Sequence, residues 1–398
     1  MNDNIYLEKK EEFTHSLTPD EVTIILKNNC DISKNSVREY RKNYIIKLLE
    51  EKNINIDNVD IDDIINGNIP DWLVKIENNT SIDDKVMSGL FGFVVGDALG
   101  VPLEFTSRNI LKNNFITDMI GYGSHNMPDG TWSDDTSLTL ATMDSIIQCG
   151  MINYRDIMDR FLYWYERAHY TANDIVFDIG LSTEKAIVNY KKGIDPIKCG
   201  GLNVNDNGNG SLMRMLPIVF VLNCQEYSEF EKVNLINNLS SLTHAHEISR
   251  LGCKIYVDYM SFILNGFDKL MALDLLKKID YSKYYSMESI IYYNRILSGD
   301  IKNVTIGDIK SSGFVVDTLE ASIWCTITSN SYSEAVLKAI NLGDDTDTIG
   351  AITGSINGVI YGGKSIPNNW LNKIKRREYL ENLAINFSNC LKKNKLCK

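Results

Sequence analysis

The chain has few prolines and few histidines, and its charge lacks a basic excess. Seven prolines in 398 residues leave long stretches in which helices can run without interruption. Acidic side chains outnumber basic ones by 52 to 41, so the formal net charge is −11. Such a chain has no long-range attraction to phosphate polymers or anionic lipid, which makes nucleic acid and a membrane surface unexpected partners.

Closely spaced cysteine pairs are also lacking. The eight cysteines are scattered without a CxxC motif, which is typical of reduced thiols rather than of a disulfide framework. The first residues have neither the basic nor the apolar region of a secretory signal. Glycines and charges interrupt the longest apolar stretches before the roughly 20 residues that a membrane-spanning helix needs. We therefore expect a soluble, cytoplasmic protein.

Sustained alternation of apolar and polar residues, the pattern of a half-buried strand, does not occur between turn signals. Helical spacing of apolar residues predominates instead, and no repeat of fixed period accompanies it, which argues against a solenoid. The sequence therefore predicts an all-α fold. The predicted helices cover roughly residues 83–98, 136–149, 155–168, 182–192, 211–223, 245–265, 318–329, 333–340, 348–361 and 369–391.

The composition changes near residue 80. Residues 1–80 are rich in Asn, Asp, Glu, Lys and Ile, whereas glycine and small residues become frequent from about residue 83. Within the first part, Thr18-Pro19-Asp20-Glu21 forms a capping box that starts a helix, and residues 36–53 have the apolar spacing of an amphipathic helix. We predict a small helical N-terminal extension over residues 1–80 and a larger domain over residues 83–398.

Two aspartate-rich segments, far apart in sequence, each lead into an apolar helix. The first, GTWSDDTS, runs from Gly130 to Ser137, and the second, GDDTDTIG, runs from Gly343 to Gly350. Carboxylates are favoured at helix N-termini, so capping is one interpretation. Five aspartates in two clusters exceed what capping requires, because adjacent like charges repel unless a proton or cation neutralises them. The pattern favours a metal site over simple capping.

The residue types in both segments indicate which metal would bind. Carboxylate and hydroxyl oxygens suit Mg²⁺ or Mn²⁺, and neither segment contains the His or Cys that zinc or copper prefers. Two oxygen-rich clusters also fit a binuclear centre that orients a substrate and activates a water. No stretch has the ligand spacing of an EF-hand.

Glycines recur on one face of two predicted helices. Because an interior glycine destabilises a helix by about 0.5–1 kcal/mol relative to alanine, such stripes indicate close approach of another backbone. We predict that these helices cross at short distance and that the crossing brings Glu104 beside Asp345 and Asp347. A membrane helix dimer is the alternative, but these segments contain too few apolar residues for a span. The stripes are Gly89, Gly92, Gly96 and Gly100, then Gly350, Gly354, Gly358 and Gly362.

Several motifs in this order resemble the ADP-ribosylglycohydrolases, a family that includes dinitrogenase-reductase-activating glycohydrolase and the hydrolases of ADP-ribosylated arginine and serine. The resemblance extends over about residues 84–385. The motifs are GDALGVPLE (96–104), GTWSDDT (130–136), FDIGLST (177–183), GNGSLMR (208–214), THAH (243–246), VVDTLEASIW (315–324), NLGDDTDT (341–348) and IPNNW (366–370).

The resemblance implies a compact orthogonal bundle of helices with a binuclear Mg²⁺ or Mn²⁺ centre. Glu104 would lie near this centre as a ligand or a gate. The family usually has threonine where Ser133 stands, but serine keeps the hydroxyl oxygen, so we expect metal binding to persist, though weaker. The ligands implied by motif position are Ser133, Asp134, Asp135, Asp345, Asp347 and Thr348.

Other motifs imply substrate contacts. Asp178 matches a family carboxylate close to the scissile bond, although it could instead cap the helix predicted over residues 182–192. The resemblance places the ADP diphosphate on Gly208, Asn209, Gly210 and Ser211, and glycine-rich backbone before a helix suits phosphate binding. Asn-Gly pairs are also ordinary turns. His244 matches a family histidine that lines the substrate cleft, or it is a satisfied core group. Arg214 and His246 are expected either as satisfied core groups or as groups that support the site residues from behind. We expect His15, His125 and His169 at the surface or in packing.

The implied reaction is hydrolysis at the anomeric carbon of the modified ribose, in an ADP-ribosylated protein or a small ADP-ribosyl compound. Two metals would hold the ribose hydroxyls and activate a water, while Asp178 or Glu104 handles the proton. One alternative is a phosphoesterase with the same two-metal chemistry. Another is an immunity protein that neutralises an ADP-ribosylating toxin partly through residues 1–80.

Overall fold

The computed structural model describes residues 81–396, which belong to the second of the two units into which the chain divides, Thr80–Lys398. These residues form helices joined by loops and contain no β-strand. Two isolated bridges pair Gly201 with His244 and Gly208 with Phe314. The predicted all-α fold is confirmed, whereas the N-terminal extension and its two predicted helices lie outside the described residues.

Most of the predicted helices are present with small shifts at their ends, and several further helices were not predicted. Among the latter, α7 is rich in asparagine, which has low helix propensity and weakens the sequence signal. The helices are α1 (Ile82–Gly100), α2 (Arg108–Asn113), α3 (Asp134–Cys149), α4 (Tyr154–Arg167), α5 (Leu181–Lys191), α6 (Leu216–Cys224), α7 (Glu229–Ser241), α8 (Glu247–Leu264), α9 (Lys269–Leu276), α10 (Met287–Ile290), α11 (Asn294–Ser298), α12 (Val315–Ile327), α13 (Tyr332–Ile340), α14 (Thr346–Tyr361), α15 (Asn368–Leu371) and α16 (Arg377–Leu396).

Two predicted helices were wrong in extent. The helix predicted over 211–223 begins only at Leu216, and Pro217 lies in its first turn. A helical turn before Pro217 is disfavoured, because the proline has no N–H to donate and its ring would clash with the carbonyl four residues earlier. The helix predicted over 369–391 is two helices, α15 and α16, separated by residues 372–376. Arg376 in that break has a positive φ of 45°, which no helix accommodates.

Helices α1 and α14 cross at backbone contact. A Cβ added to Gly96 would lie 2.0 Å from the carbonyl oxygen of Gly350, and one added to Gly354 would lie 2.1 Å from that of Gly92. Any side chain at these positions would force the helices apart, so the predicted close crossing is confirmed. Gly362 is not part of it, since it ends α14 with a φ of 77° and no atom within 4 Å of an added Cβ.

Helix α1 is the central helix of the described unit. With the following turn to Leu103 it is long and apolar enough to span a membrane by length and composition, so the expectation that no such segment exists was wrong. The most apolar 18-residue stretch of this segment is 94% buried within the protein, as is usual for a core helix. Helices α14, α16 and α13 pack against it.

The packing brings three helix ends to one place. The hydroxyl of Thr346, the first residue of α14, donates to the carbonyl of Gly100 at the C-terminus of α1, at 2.7 Å. The backbone N–H of Ser133, just before α3, donates to Asp97 of α1 at 3.0 Å. The C-terminus of α1 therefore meets the N-termini of α3 and α14, where both aspartate segments lie.

Candidate active site

The first aspartate segment is held in place by a buried carboxylate of α1. Asp97 accepts hydrogen bonds from the backbone N–H of Ser133 and of Thr136 and from the Thr136 hydroxyl, at 3.0, 3.2 and 2.5 Å. Ser133 is the N-cap of α3, and its hydroxyl accepts from the N–H of Asp135 at 3.2 Å. The carboxyls of Asp134 and Asp135 are consequently fixed in the first turn of α3, both buried.

The second segment does not cap its helix through its side chains. Asp345 is the N-cap residue of α14 but makes no side-chain capping bond. Its Oδ2 instead accepts from the Asn209 amide at 2.9 Å. The hydroxyl of Thr348 donates to Oδ2 of Asp135 at 3.2 Å and so links the two segments directly. The capping interpretation therefore fits Ser133 but fails for Asp345 and Asp347.

Asp344 differs from the other four aspartates of the two segments. It is exposed, has a φ of 62° and accepts a hydrogen bond from the Ser311 hydroxyl at 3.2 Å. Its backbone N–H donates to Thr106, and its carbonyl accepts from Phe105. Asp344 thus holds the turn between α13 and α14 rather than joining the buried group.

The buried carboxyls repel one another strongly. Burial, followed by the charge of Asp347, raises the pKa of Asp97 to about 7. The same two causes raise the pKa values of Asp134, Asp135 and Asp345 well above the ordinary range. Ionising all of them together is unfavourable without a cation nearby.

Several carboxylate oxygens of this group have no hydrogen-bond partner within the described residues. They are Oδ1 of Asp135, Oδ1 of Asp345 and both oxygens of Asp347. Buried polar atoms are almost always paired, so unpaired oxygens of like charge are the donor set that a divalent cation would complete. The residues present therefore fit the implied Mg²⁺ or Mn²⁺ centre.

Beside this group lie Glu104, His125 and Asp178. Glu104 directly follows the turn after α1, and its Oε2 is hydrogen-bonded to Nε2 of His125. Oδ1 of Asp178 lies 3.8 Å from the same nitrogen. Each of the three side chains offers one atom that can bind a metal ion, and these three atoms lie within 4.8 Å of one another. Burial, and next the charge of Asp347, raise the pKa of Glu104 to about 7. Since a charge has such an effect only at short range, this supports the prediction that the helix crossing brings Glu104 close to the aspartates.

Asp178 is not a helix cap. The N-cap of α5 is Gly180, and Asp178 precedes it with a φ of 57°, in the left-handed region. Burial, and next the charge of Asp347, raise its pKa. Its carboxyl therefore belongs to the acidic site, and the capping alternative is wrong.

The glycine-rich loop adjoins the site, but its residues differ in availability. Asn209 donates to Asp345 and to Thr318, both at 2.9 Å, so its amide positions a predicted metal ligand. Ser211 is fully buried and its hydroxyl is hydrogen-bonded to Ser240 and Cys253, so the predicted substrate contact of this residue would have to be made by its backbone. The loop also precedes turns rather than a helix N-terminus, so the expected helix dipole is not behind it.

His244 lies directly under that loop. A Cβ added to Gly210 would be 2.8 Å from Cε1 of the His244 ring, and one added to Gly208 would be 3.3 Å from its Nε2. Nδ1 bonds the Thr243 hydroxyl at 2.8 Å. Burial, and next the charge of Arg214, lower the pKa of His244 to about 3, so the ring is neutral. The histidine supports the loop from within the core.

Sequence reasoning missed two residues of the site. Asp97 stands in the GDALG motif, but an isolated aspartate in an apolar helix carries no local signal of its partners on α3. His125 was expected at the surface or in packing, and that was wrong, because the turn that contains it packs on the segment after α1. A Cβ added to Gly123 would lie 1.7 Å from the carbonyl oxygen of Pro102, so this glycine was the available signal of a close approach.

His246 and His169 have the roles expected of them, whereas Arg214 is in the core but is not fully satisfied, since its Nε and Nη1 have no hydrogen-bond partner among the described residues. His246 caps α8 by accepting from the N–H of Ile248 at 3.3 Å. Arg214 is buried, donates to the Thr243 hydroxyl at 2.7 Å and stacks over Phe161. His169 is exposed beside Tyr163 and Tyr170.

Comparison with known proteins agrees with this geometry. The model of the ADP-ribosylglycohydrolase family matches residues 78–395. An ADP-ribosylarginine hydrolase of Serratia proteamaculans (strain 568) is 31% identical over 320 residues, which cover 79% of this chain and 82% of that protein. The ADP-ribosyl-[dinitrogen reductase] glycohydrolase of Rhodospirillum rubrum is 24% identical over 296 residues, which cover 74% of this chain and 91% of that protein.

A solved structure is similar as well. An ADP-ribosylglycohydrolase-related protein complex aligns with a TM-score of 0.65 and 27% sequence identity, over 78% of this chain and 98% of that chain.

Proposed function

The chain belongs to the ADP-ribosylglycohydrolase family, and we propose that it removes ADP-ribose from a modified side chain by metal-assisted hydrolysis of the glycosidic bond. The observation that carries this proposal is the group of aspartates at the N-termini of α3 and α14, in which four buried carboxylate oxygens lack a hydrogen-bond partner in the described part of the chain. An ADP-ribose substrate would be held beside these carboxyls, between the glycine-rich loop and Glu104.

The ligands of the proposed centre come equally from the two helix N-termini. Two Mg²⁺ or Mn²⁺ ions, when bound, would supply electrostatic stabilisation of the ribose oxygens and a water of lowered pKa. Ser133 would contribute its hydroxyl in place of the threonine usual in the family, which is why some loss of affinity is expected. The proposed ligands are Ser133, Asp134 and Asp135 from α3, and Asp345, Asp347 and Thr348 from α14.

Glu104 and Asp178 would handle the proton of the reaction. Both carboxyls lie beside the aspartate group, and both face His125 Nε2. A carboxyl within hydrogen-bond reach of the leaving group can deliver the proton that it needs, while its partner accepts the proton of the attacking water. Gly208 and Gly210 would bring backbone close to the diphosphate, since neither carries a Cβ, and His244 keeps that backbone in place from below.

The proposed acceptor is arginine. The Serratia proteamaculans relative is an ADP-ribosylarginine hydrolase, and so is a relative from Pseudomonas putida (strain GB-1) with 31% identity. A cytoplasmic location also stays a prediction, with which the lack of a disulfide among the six cysteines of the described residues is compatible. The predicted toxin partner would contact residues 1–80, outside the described residues, and no observation on the rest of the chain supports it or the phosphoesterase alternative.

A substrate panel tests the proposal. Arginine-, serine- and nucleobase-linked ADP-ribose are offered to the full chain with Mg²⁺ or Mn²⁺, and release of ADP-ribose is measured before and after EDTA. We expect release from the arginine conjugate, its loss on chelation and its return with metal. The variant Asp345→Asn should lower kcat/KM at least about a hundredfold. Activity undiminished by EDTA would contradict the metal-assisted step, and no release from any conjugate would contradict the hydrolase itself.

A further inference from the structure

An aromatic cluster borders the carboxyl pair Glu104 and Asp178. The ring of His125 lies between those of Phe105 and Phe177, with centroid distances of 5.8 and 5.1 Å. Phe105 is 73% exposed although it directly follows Glu104, which is buried. A large apolar ring left in water at the edge of an acidic site is a surface that a ligand can cover.

The backbone around this cluster is held in an unusual conformation. Phe105, Tyr122, Asn126 and Asp178 have φ values between 52° and 71°, in the left-handed region that residues with a Cβ rarely adopt. The N–H of Phe105 is fixed by the carbonyl of Asp344 at 2.7 Å, and that of Tyr122 by the carbonyl of Met127 at 2.6 Å. The surrounding bonds therefore present the Phe105 ring outward at a conformational cost, as is common at functional sites.

The cluster combines two features that recognise one kind of group. Aromatic faces attract cations, and the planar guanidinium stacks on them especially well. Carboxylates pair with the same guanidinium through two parallel hydrogen bonds. Glu104 and Asp178 place two carboxyl groups at the edge of this cluster, and both face Nε2 of His125. A serine linkage offers neither charge nor a planar group to such a surface.

We propose that Phe105, His125 and Phe177 form the acceptor-recognition surface of the enzyme and that it selects the guanidinium of ADP-ribosylated arginine. This inference rests on the proposed hydrolase function and adds the residues that determine its specificity. Phe105 and Phe177 contact the guanidinium faces, while His125 is a positioning residue that keeps the Glu104 carboxylate at their edge.

Substitutions that remove the aromatic ring but keep its apolar bulk test the surface. Phe105→Leu and Phe177→Leu retain a Cβ-bearing residue at each position, so the backbone conformation at Phe105 is as costly as before. Phe105→Tyr restores an aromatic face. Phe230, which is 63% exposed on α7, provides the matched control Phe230→Leu.

We expect kcat/KM for the arginine conjugate to fall about fivefold to thirtyfold in Phe105→Leu and Phe177→Leu, mainly through KM, as for the loss of a cation over a shielded ring. The serine conjugate should change less than about twofold, and Phe105→Tyr and Phe230→Leu should match the unmodified protein. Calorimetric affinity for free ADP-ribose, which has no acceptor, should be unchanged. Equal losses on both conjugates, a parallel loss of ADP-ribose affinity, or no loss in either leucine variant would overturn the proposal.

Calorimetric titration with ADP-ribose and with the arginine conjugate separates this inference from the proposed function. If the unmodified protein hydrolyses no conjugate, the hydrolase proposal fails. The acceptor-recognition surface is then tested by binding affinities alone. An affinity for the arginine conjugate above that for ADP-ribose, lost in Phe105→Leu, would then support it. Equal affinity for the two ligands would overturn it.

Discussion

At the scale of single residues, Asp347 has the strongest influence on the site. It is 1% exposed, and neither of its carboxylate oxygens accepts a hydrogen bond from an N–H or O–H donor of the described residues. After burial, its charge is the largest cause of the raised pKa values of Asp134, Asp135 and Asp345. We expect Asp347→Asn to stabilise the metal-free protein at pH 8 by about 1–3 kcal/mol, since one unit of pKa corresponds to about 1.4 kcal/mol. The same change should abolish metal binding and ADP-ribose release. Urea unfolding in EDTA and a metal titration measure the two effects.

Asp344 provides the control for this prediction. It stands three residues earlier, is exposed and bonds Ser311, so Asp344→Asn removes the same charge outside the buried group. Its left-handed backbone also suits asparagine. We expect little change in unfolding free energy or in metal affinity. If both substitutions acted alike, the buried repulsion would not be the cause.

The site residues that were predicted from the sequence differ from those that were missed. The predicted ones form local clusters, whereas the partners of the missed ones are far away along the chain. Clusters of like charge are visible in the sequence itself, and they need a neutralising partner wherever they fold. The residues of this kind are Asp134, Asp135, Asp345 and Asp347. Asp97 and His125 occur singly, and their partners are 36 and 21 residues away in sequence. Only the packing of α1 against α3 and of the 122–127 turn against the segment after α1 creates those contacts.

At the scale of elements, the crossing of α1 and α14 sets the position of the proposed metal ligands on α14. Gly96→Ala would improve helix propensity by about 1 kcal/mol in an isolated helix. In this protein the added Cβ would lie 2.0 Å from the carbonyl oxygen of Gly350, so the helices must separate. We expect a net destabilisation of more than about 2 kcal/mol and a weaker metal affinity, because Asp345 and Asp347 move with α14. Chemical denaturation and a Mn²⁺ titration would measure both.

Gly307→Ala is the matched control for the crossing. An added Cβ there meets no atom closer than 3.7 Å, in an exposed loop away from α1 and α14. Its effect should stay within about 0.5 kcal/mol of unfolding free energy. A Gly96→Ala protein as stable as Gly307→Ala would mean that the stripe is not required for the packing.

The elements themselves were predictable where periodicity and caps agree. The glycine stripes gave the α1–α14 contact, since only another backbone justifies several glycines on one helix face. The start of α6 was predicted too early, because residues 211–214 form turns although their sequence continues the apolar pattern of the helix. The break between α15 and α16 depends on Arg376 in a left-handed conformation, and an arginine gives no sequence signal for it.

At the scale of the whole molecule, we expect folding and the proposed metal binding to be coupled through protons. Aspartate and glutamate have pKa values near 4 in an unfolded chain, whereas in the folded protein the pKa values of Asp97 and Glu104 are about 7. A folded pKa raised above the unfolded value favours the protonated folded form. Its stabilising contribution is therefore complete below about pH 4 and is lost as the pH rises through about 7.

A divalent cation should reverse this trend, because it binds the ionised carboxylates and competes with protons for them. We expect saturating Mg²⁺ or Mn²⁺ to raise the melting temperature little at pH 5.5 and by at least ~3 °C more at pH 8, relative to EDTA at each pH. Differential scanning fluorimetry of the full chain measures this difference. Asp347→Asn, which removes a proposed ligand and the main repelling charge together, should respond weakly to metal at both values. A metal-induced rise that is equal at pH 5.5 and pH 8, or larger at pH 5.5, would contradict the coupling, because neutralisation of buried carboxylates requires that they first lose their protons.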